Sequence, residues 1–309
     1  MGVAGSTCSK PILRSLDEMN KPRLLIIGAR GFLGTYGARS SADRFEVIRG
    51  DRSSSAQPGT VQLDIVDSAS VNRAFRQVQP SYVLLLAAMS DIDRCEAAPE
   101  QAFATNARGA EHIANACARA NARLLFTSTA AVFDGKKHGY REDDEVSPLS
   151  VYGNSKAWAE NAVRSLLPSA IVLRFALVLG FARKGGTNAM LDSVMQKWKA
   201  GQPVSFPTRE TRNPVDADSL SKIMIGLLGN HRVSGLYHVG ATDSISRFEL
   251  GKRLAARAGV SSGLVRPLDK TVPGRAPRGE DHFLLTDKIR KVCNLGVQTS
   301  DQVIERCFS

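Results

Sequence analysis

Leu24-Leu25-Ile26-Ile27-Gly28-Ala29-Arg30-Gly31-Phe32-Leu33-Gly34 is the stretch on which the reading of the fold turns. Its four leading apolar residues are too few for a typical helix and end at once in Gly28, so they read as a buried parallel strand. Gly28, Gly31 and Gly34 then offer a left-handed turn, room for a phosphate against bare backbone, and close packing of the next helix. A helix beginning at Phe32 would aim its free amide N–H groups at an anion. The spacing is GxxGxxG rather than the GxGxxG of the common dinucleotide fingerprint. Its position, after a strand and before an apolar-periodic segment, is what marks it as a phosphate-binding turn.

Working outward, a second strand is predicted over residues 45–49. Asp51 then falls where the acidic residue that binds an adenosine ribose belongs, which favours NAD. Arg30 inside the loop, with Arg49 and Arg52 beside Asp51, could instead meet a 2′-phosphate, which favours NADP. The flanking arginines read equally as solvated loop charges. The cofactor is therefore read as NADP or NAD, leaning to NADP.

Far downstream lies Tyr152-Gly153-Asn154-Ser155-Lys156. On a helix predicted over residues 151–166, Tyr152 and Lys156 are one turn apart on the same face. A neighbouring ammonium favours the phenolate and is expected to lower the tyrosine pKa from its usual value of about 10, suiting proton transfer near neutral pH. In a reduction, the dihydronicotinamide would give hydride to a carbonyl carbon while the tyrosine protonates the oxygen, and the lysine would also bind ribose hydroxyls. YxxxK alone is a common string. It gains weight from Leu124, Leu125 and Phe126, another buried strand, with Thr127, Ser128 and Thr129 at its carboxyl end. Open parallel sheets bind ligands at that edge, where a hydroxyl can orient a substrate carbonyl.

The remaining pattern alternates. Strands are predicted at 23–27, 45–49, near 60–63, 82–87, 123–127 and 170–174. Helices are predicted from 32, at 68–78, about 100–120 and 151–166. Such alternation builds an α/β fold, a doubly wound parallel sheet covered on both faces. Residues 22–177 are read as an NAD(P)-binding Rossmann domain with return segments near 212–240, and residues 178–309 mainly as a smaller substrate-binding lobe. Residues 1–21 are read as a disordered extension outside the fold. Their start, MGVAGS with Cys8 nearby, fits the loose myristoylation pattern, and Met19 could equally be the initiator.

The 309 residues are long enough for such a two-lobed protein, and 43% hydrophobic with 23% charged content excludes disordered and fibrous classes. No apolar run approaches the ~18 residues of a membrane span. The net charge of +11 raises nucleic acid as a partner. However, the basic residues are dispersed, aromatics are only 6%, and no nucleic-acid-binding signature accompanies them. A cleft for a polyanionic, phosphorylated cofactor accounts for positive charge as well. The five cysteines are scattered without metal-site spacing and suit a reducing cytoplasm, so no metal is expected.

Beyond these local readings, the chain resembles the extended short-chain dehydrogenase/reductase superfamily. The resemblance rests on the glycine loop, LDIVD at Leu63 to Asp67, AAMSD at Ala87 to Asp91, TNARGAEHIANAC at Thr105 to Cys117, STAAVFDG at Ser128 to Gly135, and SPLSVYGNSKAWAE at Ser147 to Glu160. Within it, the STxxVFDG, REDD and SPLxVYGxSKxxxE pieces most resemble dTDP-4-dehydrorhamnose reductases and their relatives, among them the regulatory beta subunit of methionine adenosyltransferase. The resemblance implies a catalytic set of Thr129, Tyr152 and Lys156. It implies a cofactor cleft that also takes in Phe32 and Leu33, with Asp64 and Ile65 at the adenine and Ala87 and Ala88 on its wall.

Departures accompany the matches. Ala130 and Ala131 stand where rhamnose-type reductases commonly carry Asp and Tyr, Leu86 stands where an Asn is common, and RAPRG at Arg275 to Gly279 replaces an Arg-Pro pair. The function implied first is reduction of a 4-keto nucleotide sugar. An NAD-dependent epimerase or dehydratase and a non-catalytic NADP-binding regulatory subunit are the alternatives. A homodimer is left open.

Overall fold

The computed structural model describes residues 21–53, 57–183, 189–269, 274–293 and 298–309. The expected N-terminal extension and its lipidation pattern fall almost wholly outside these residues, as does Lys184 to Asn188. The first half of the chain forms β1 (Arg23–Ile27), α1 (Phe32–Ser41), β2 (Glu46–Asp51), β3 (Thr60–Gln62), α2 (Ser68–Val78), β4 (Tyr82–Leu85), α3 (Ile92–Ala97) and α4 (Pro99–Phe103). Next come α5 (Gly109–Ala120), β5 (Arg123–Thr129), α6 (Val151–Leu166) and β6 (Ile171–Phe175). The second half adds β7 (Leu177–Leu179), α7 (Met190–Lys199), β8 (Val204–Pro207), β9 (Thr211–Arg212), β10 (Pro214–Asp216), α8 (Ala217–Gly229) and β11 (Gly235–Val239). It closes with β12 (Ile245–Ser246), α9 (Arg247–Arg257), β13 (Val265–Leu268), β14 (Asp281–His282), α10 (Asp287–Val292) and α11 (Ser300–Cys307).

Seven strands make one sheet in the order β11-β6-β5-β4-β1-β2-β3, every pair parallel. The period of two along β1 splits its side chains between two cores. Leu25 and Ile27 join Val71, Phe75, Ile113 and Val163 on one face, whereas Leu24 and Ile26 join Leu220, Met224 and Leu228 on the other. β2 and β3 are added on one side of β1, and β4, β5, β6 and β11 on the other, so the winding order switches between β1 and β4, and such a switch point opens a crevice beyond the strands' carboxyl ends. A third core, built from Leu191, Trp198, Phe206, Leu250, Leu254 and Val303, lies in the second half of the chain.

Local chemistry explains the sharp element boundaries. The Asp67 carboxylate caps α2 by accepting from Ala69 N at 2.8 Å, and Gln79 ends it with a φ of 48°. Ser150 caps α6 by accepting from Gly153 N at 3.2 Å. β2, β3 and β6 lie within one or two residues of the expected 45–49, 60–63 and 170–174, and three larger differences have visible causes. β4 stops at Leu85 rather than residue 87 because the amides of Leu86 and Ala87 both turn to Ile27 O, at 2.9 and 3.0 Å. β5 extends to Thr129 because Ser128 and Thr129 still pair with Arg174 and Phe175 of β6. The single helix expected over 100–120 is α4 and α5 joined by a π-helical turn, Ala104–Arg108. Such turns widen a helix locally and often sit at functional sites.

Candidate active site

The glycine turn sits at the sheet's switch point and forms one end of a cleft of about 690 Å³. Gly28 has a φ of +89°, and a Cβ there would come within 2.7 Å of Ala87 N. A Cβ at Gly34 would press on Gly28 O and lie 2.6 Å from Ala29 Cα, so helix and strand touch backbone to backbone. Gly31 caps α1 without a side-chain hydrogen bond, and the first turn holds no acid. Its leading N–H groups therefore remain available to an anion. These features fit a dinucleotide's pyrophosphate.

Around that turn the cleft is lined by Gly28, Arg30, Gly31, Phe32, Leu33 and Gly34, then by Asp51 and Arg52, by Asp64 and Ile65, and by Ala87 and Ala88. Arg30 Nε lies 3.3 Å from Asp51 Oδ2, and its Nη1 donates to Ser53 Oγ at 2.7 Å. Asp51 and Arg30 thus hold each other at the end where a ribose or its 2′-phosphate would lie. Arg49 is exposed and not among the lining residues, so of the three arginines considered only Arg30 and Arg52 face the cleft. Asn106, in the π turn, is a residue that motif reading passed over. Its Oδ1 accepts from Met89 N at 2.8 Å, and its Nδ2 donates to Met89 O and to Ser155 Oγ, both at 3.0 Å. It ties the Ala87–Met89 wall to the helix carrying Tyr152 and Lys156.

Tyr152 and Lys156 both line this cleft. Lys156 Nζ donates to Thr127 O at 2.7 Å and lies 3.9 Å from the centre of the Phe126 ring. Burial pulls its pKa down to about 7, against the opposing pull of the Glu160 carboxylate. The expected lowering of the Tyr152 pKa is reversed: burial pushes it up to about 12, with a partial offset from the Thr129 side-chain hydrogen bond. Desolvation penalises both charged forms, and a lysine itself driven toward neutrality supplies little positive field. At neutral pH the phenol keeps its proton and is ready to give it.

Thr129 is absent from the cleft's lining and instead faces a second cavity of about 490 Å³. Tyr152, Ser90, Phe175 and Val178 line both cavities, so the phenol stands at their junction. The second cavity is bordered by Arg212, Arg247, Arg275 and Arg278, with Glu210 among them and Ala131 on its wall. Sequence reading missed this cluster. Arg212 Nη2 reaches Glu210 Oε2 at 3.3 Å and donates to Gly279 O at 3.1 Å. Arg247 Nη2 meets Met190 Sδ at 3.2 Å, and its Nε is buried without a partner. Burial pulls the Arg247 pKa down against the field of the nearby Glu210 carboxylate, and a desolvated guanidinium N–H without an acceptor is costly unless an anion arrives.

Beneath the junction a buried polar network braces the site. Arg174 grips Glu160 through Nε at 2.9 Å and Nη2 at 2.5 Å, and Ser128 Oγ donates to the same carboxylate. Arg174 Nη1 donates to His238 Nε2 at 3.4 Å, and His238 Nδ1 donates to Tyr140 O at 3.2 Å. The network joins α6 to the end of β5, fixing Thr129 relative to Tyr152. Among the described residues, no group of three or more His, Cys, Asp or Glu is placed to hold a metal, and no helix is long and apolar enough to cross a membrane.

Comparison with known proteins agrees with this architecture. The dTDP-4-dehydrorhamnose reductase of Mycobacterium tuberculosis is 33% identical over 267 residues, covering 83% of this chain and 82% of its own. Methionine adenosyltransferase 2 subunit beta of Xenopus tropicalis is 26% identical over 293 residues, covering 93% of this chain and 87% of its own. The crystal structure of dTDP-4-dehydrorhamnose reductase from Bacillus anthracis in complex with NADP superposes with a TM-score of 0.85. It is 25% identical and covers 93% of this chain and 99% of that one. Residues 22–309 match the family described as the RmlD substrate binding domain, and the chain belongs to that family.

Proposed function

We propose that this protein is an NAD(P)H-dependent reductase of a 4-keto nucleotide sugar. One observation carries the reading: Tyr152, a protonated phenol at neutral pH, lines both the dinucleotide cleft and the arginine-bordered cavity. Any carbonyl held in the second cavity can meet a proton donor where the two spaces join.

In this reading Gly28, Gly31, Gly34 and the N-terminus of α1 hold the pyrophosphate, with Phe32 and Leu33 beside them. Arg30, Asp51 and Arg52 meet the adenosine ribose or its 2′-phosphate, Asp64 and Ile65 the adenine, and Ala87 and Ala88 the inner wall. When bound, NAD(P)H supplies the hydride. Tyr152 gives its hydroxyl proton to the carbonyl oxygen as that oxygen gains charge, and Thr129 donates a hydrogen bond to the same oxygen. Lys156 binds ribose hydroxyls, and the Thr129 hydrogen bond favours the phenolate left behind. The lobe around the third core takes the sugar nucleotide, with Arg247 and Arg275 toward its diphosphate. The partner is thus a small molecule rather than nucleic acid. The free thiols of Cys95, Cys117, Cys293 and Cys307 suit a cytoplasmic setting.

The regulatory alternative draws on Ala131, which gives the second cavity an apolar wall. A complete Thr129, Tyr152 and Lys156 set beside four guanidinium groups favours turnover over a purely structural role. A panel of nucleotide-linked keto-sugars assayed for NADPH and NADH oxidation tests the proposal. Turnover of a 4-keto member is expected; no turnover of any member, with copurification of a synthetase, would favour the regulatory role.

A further inference from the structure

The second cavity holds more positive charge than carbonyl reduction requires, and the surplus can be counted. Arg212, Arg247, Arg275 and Arg278 line it, and guanidinium groups stay protonated in proteins. His282, also on the wall, is pushed down to about 3 by burial and is neutral. Glu210 is the one carboxylate among the described lining residues. Its Oε1 lies 2.6 Å from Arg275 Nη1 and its Oε2 lies 3.3 Å from Arg212 Nη2. Arg278 is neutralised from across the cavity mouth, donating to Asp93 of α3 at 3.0 and 2.8 Å. Ala276 N donates to the same carboxylate at 2.7 Å. Asp281 also acts on Arg212 but is hydrogen-bonded to His138, so four guanidinium groups against the two carboxylates ion-paired with them, Glu210 and Asp93, leave a surplus of two positive charges. Arg247, with its unpartnered Nε, carries part of that surplus in a desolvated position.

The diphosphate bridge of a nucleotide sugar carries two negative charges, one on each phosphate. A free nucleoside diphosphate carries more, because its terminal phosphate ionises a second time with a pKa of about 6. We infer that Glu210 sets the charge this cavity accepts: it is a resident counter-ion that trims the arginine cluster to match a doubly negative diphosphate ester. It thereby disfavours the more highly charged free nucleoside diphosphate. The inference rests on the nucleotide-sugar reading above and adds to it a residue that selects between ligands sharing one nucleotide. Glu210 acts through the guanidinium groups it holds and is a positioning residue, not a catalytic one.

The test is calorimetric titration of the full-length protein with dTDP-glucose and with dTDP at pH 7.5. Its readout is the ratio of the two dissociation constants, which a merely structural residue would leave unmoved. Glu210→Gln is expected to shift the ratio toward dTDP by about tenfold, the effect of one added unit charge at roughly 8 Å with partial screening. Glu210→Asp, which keeps the charge, is expected to stay within about threefold of the wild type. Arg275→Met, which removes a cation, is expected to shift the ratio the opposite way. An unchanged ratio in Glu210→Gln, with both ligands bound, overturns the inference and leaves the nucleotide-sugar reading standing. Should Glu210→Gln fail to fold, Arg275→Met decides alone, and an unchanged ratio there overturns it. If neither these ligands nor the matching UDP and GDP pairs bind the wild type, the nucleotide-sugar reading falls and takes the inference with it.

Discussion

Acidification should loosen the brace beneath the active site, and His238 is where the effect can be isolated. Its ring is fully buried, and burial together with the Arg174 guanidinium pushes its pKa down from 6.5 to about 3. Above pH 6.5 neither the folded nor the unfolded chain protonates this group. Between 6.5 and about 3 the unfolded chain takes up a proton that the folded chain refuses, so stability falls as pH falls through that window. At pH 5.0 the gap is about 1.5 pH units, worth about 2 kcal/mol from this side chain alone. Carboxylates titrate over part of the same range, so the measurement is a difference. Urea unfolding of the wild type and of His238→Gln at pH 7.5 and 5.0 should show the wild type losing about 2 kcal/mol more on acidification. Equal losses in the two proteins, within about 0.5 kcal/mol, would refute the reasoning. His282, pushed down to about 3 for the same reason, should behave likewise.

Other perturbations read other parts of the site. Gly34→Ala forces a Cβ onto the backbone of Gly28 and Ala29, and should destabilise the protein by about 1–3 kcal/mol in thermal melts while weakening dinucleotide binding at least about tenfold. Glu160→Gln leaves Arg174 buried without its partner charge and should cost about 3–5 kcal/mol in urea unfolding, with a loss under about 1 kcal/mol contradicting the brace. Arg30→Ala should raise the KM for NADPH about 10- to 100-fold and change that for NADH little, because only the phosphorylated cofactor would lose a charge-assisted hydrogen bond. Equal effects on both cofactors would remove Arg30 from the 2′-phosphate.

Elements whose causes are local were legible in the sequence. The apolar run of β1, the Asp67 cap of α2 and the Ser150 cap of α6 each act within a few residues, and those spans match expectation at both ends. The π turn at Ala104–Arg108 was hidden because its composition continues the helical pattern on either side. The arginine cavity was hidden for a different reason. Arg278 meets Asp93 across 185 positions of chain, and Arg212 meets Gly279 across 67, so nothing in either neighbourhood announces the pairing. The Tyr152 pKa shows the limit of spacing arguments. An i,i+4 relation gave proximity to Lys156, whereas the direction of the shift is set by how much water both groups lose, a property of the folded cleft.

The most direct measurement of the central claim, that hydride and proton converge at the junction marked by Tyr152, is single turnover of a 4-keto nucleotide sugar with NADPH carrying deuterium at both C4 positions of the nicotinamide. The expected result is deuterium on the former carbonyl carbon. In Tyr152→Phe, turnover should be slowed by about 10²–10⁴ while NADPH binding is retained. Product without deuterium at that carbon, or Tyr152→Phe turning over at the wild-type rate, would contradict it.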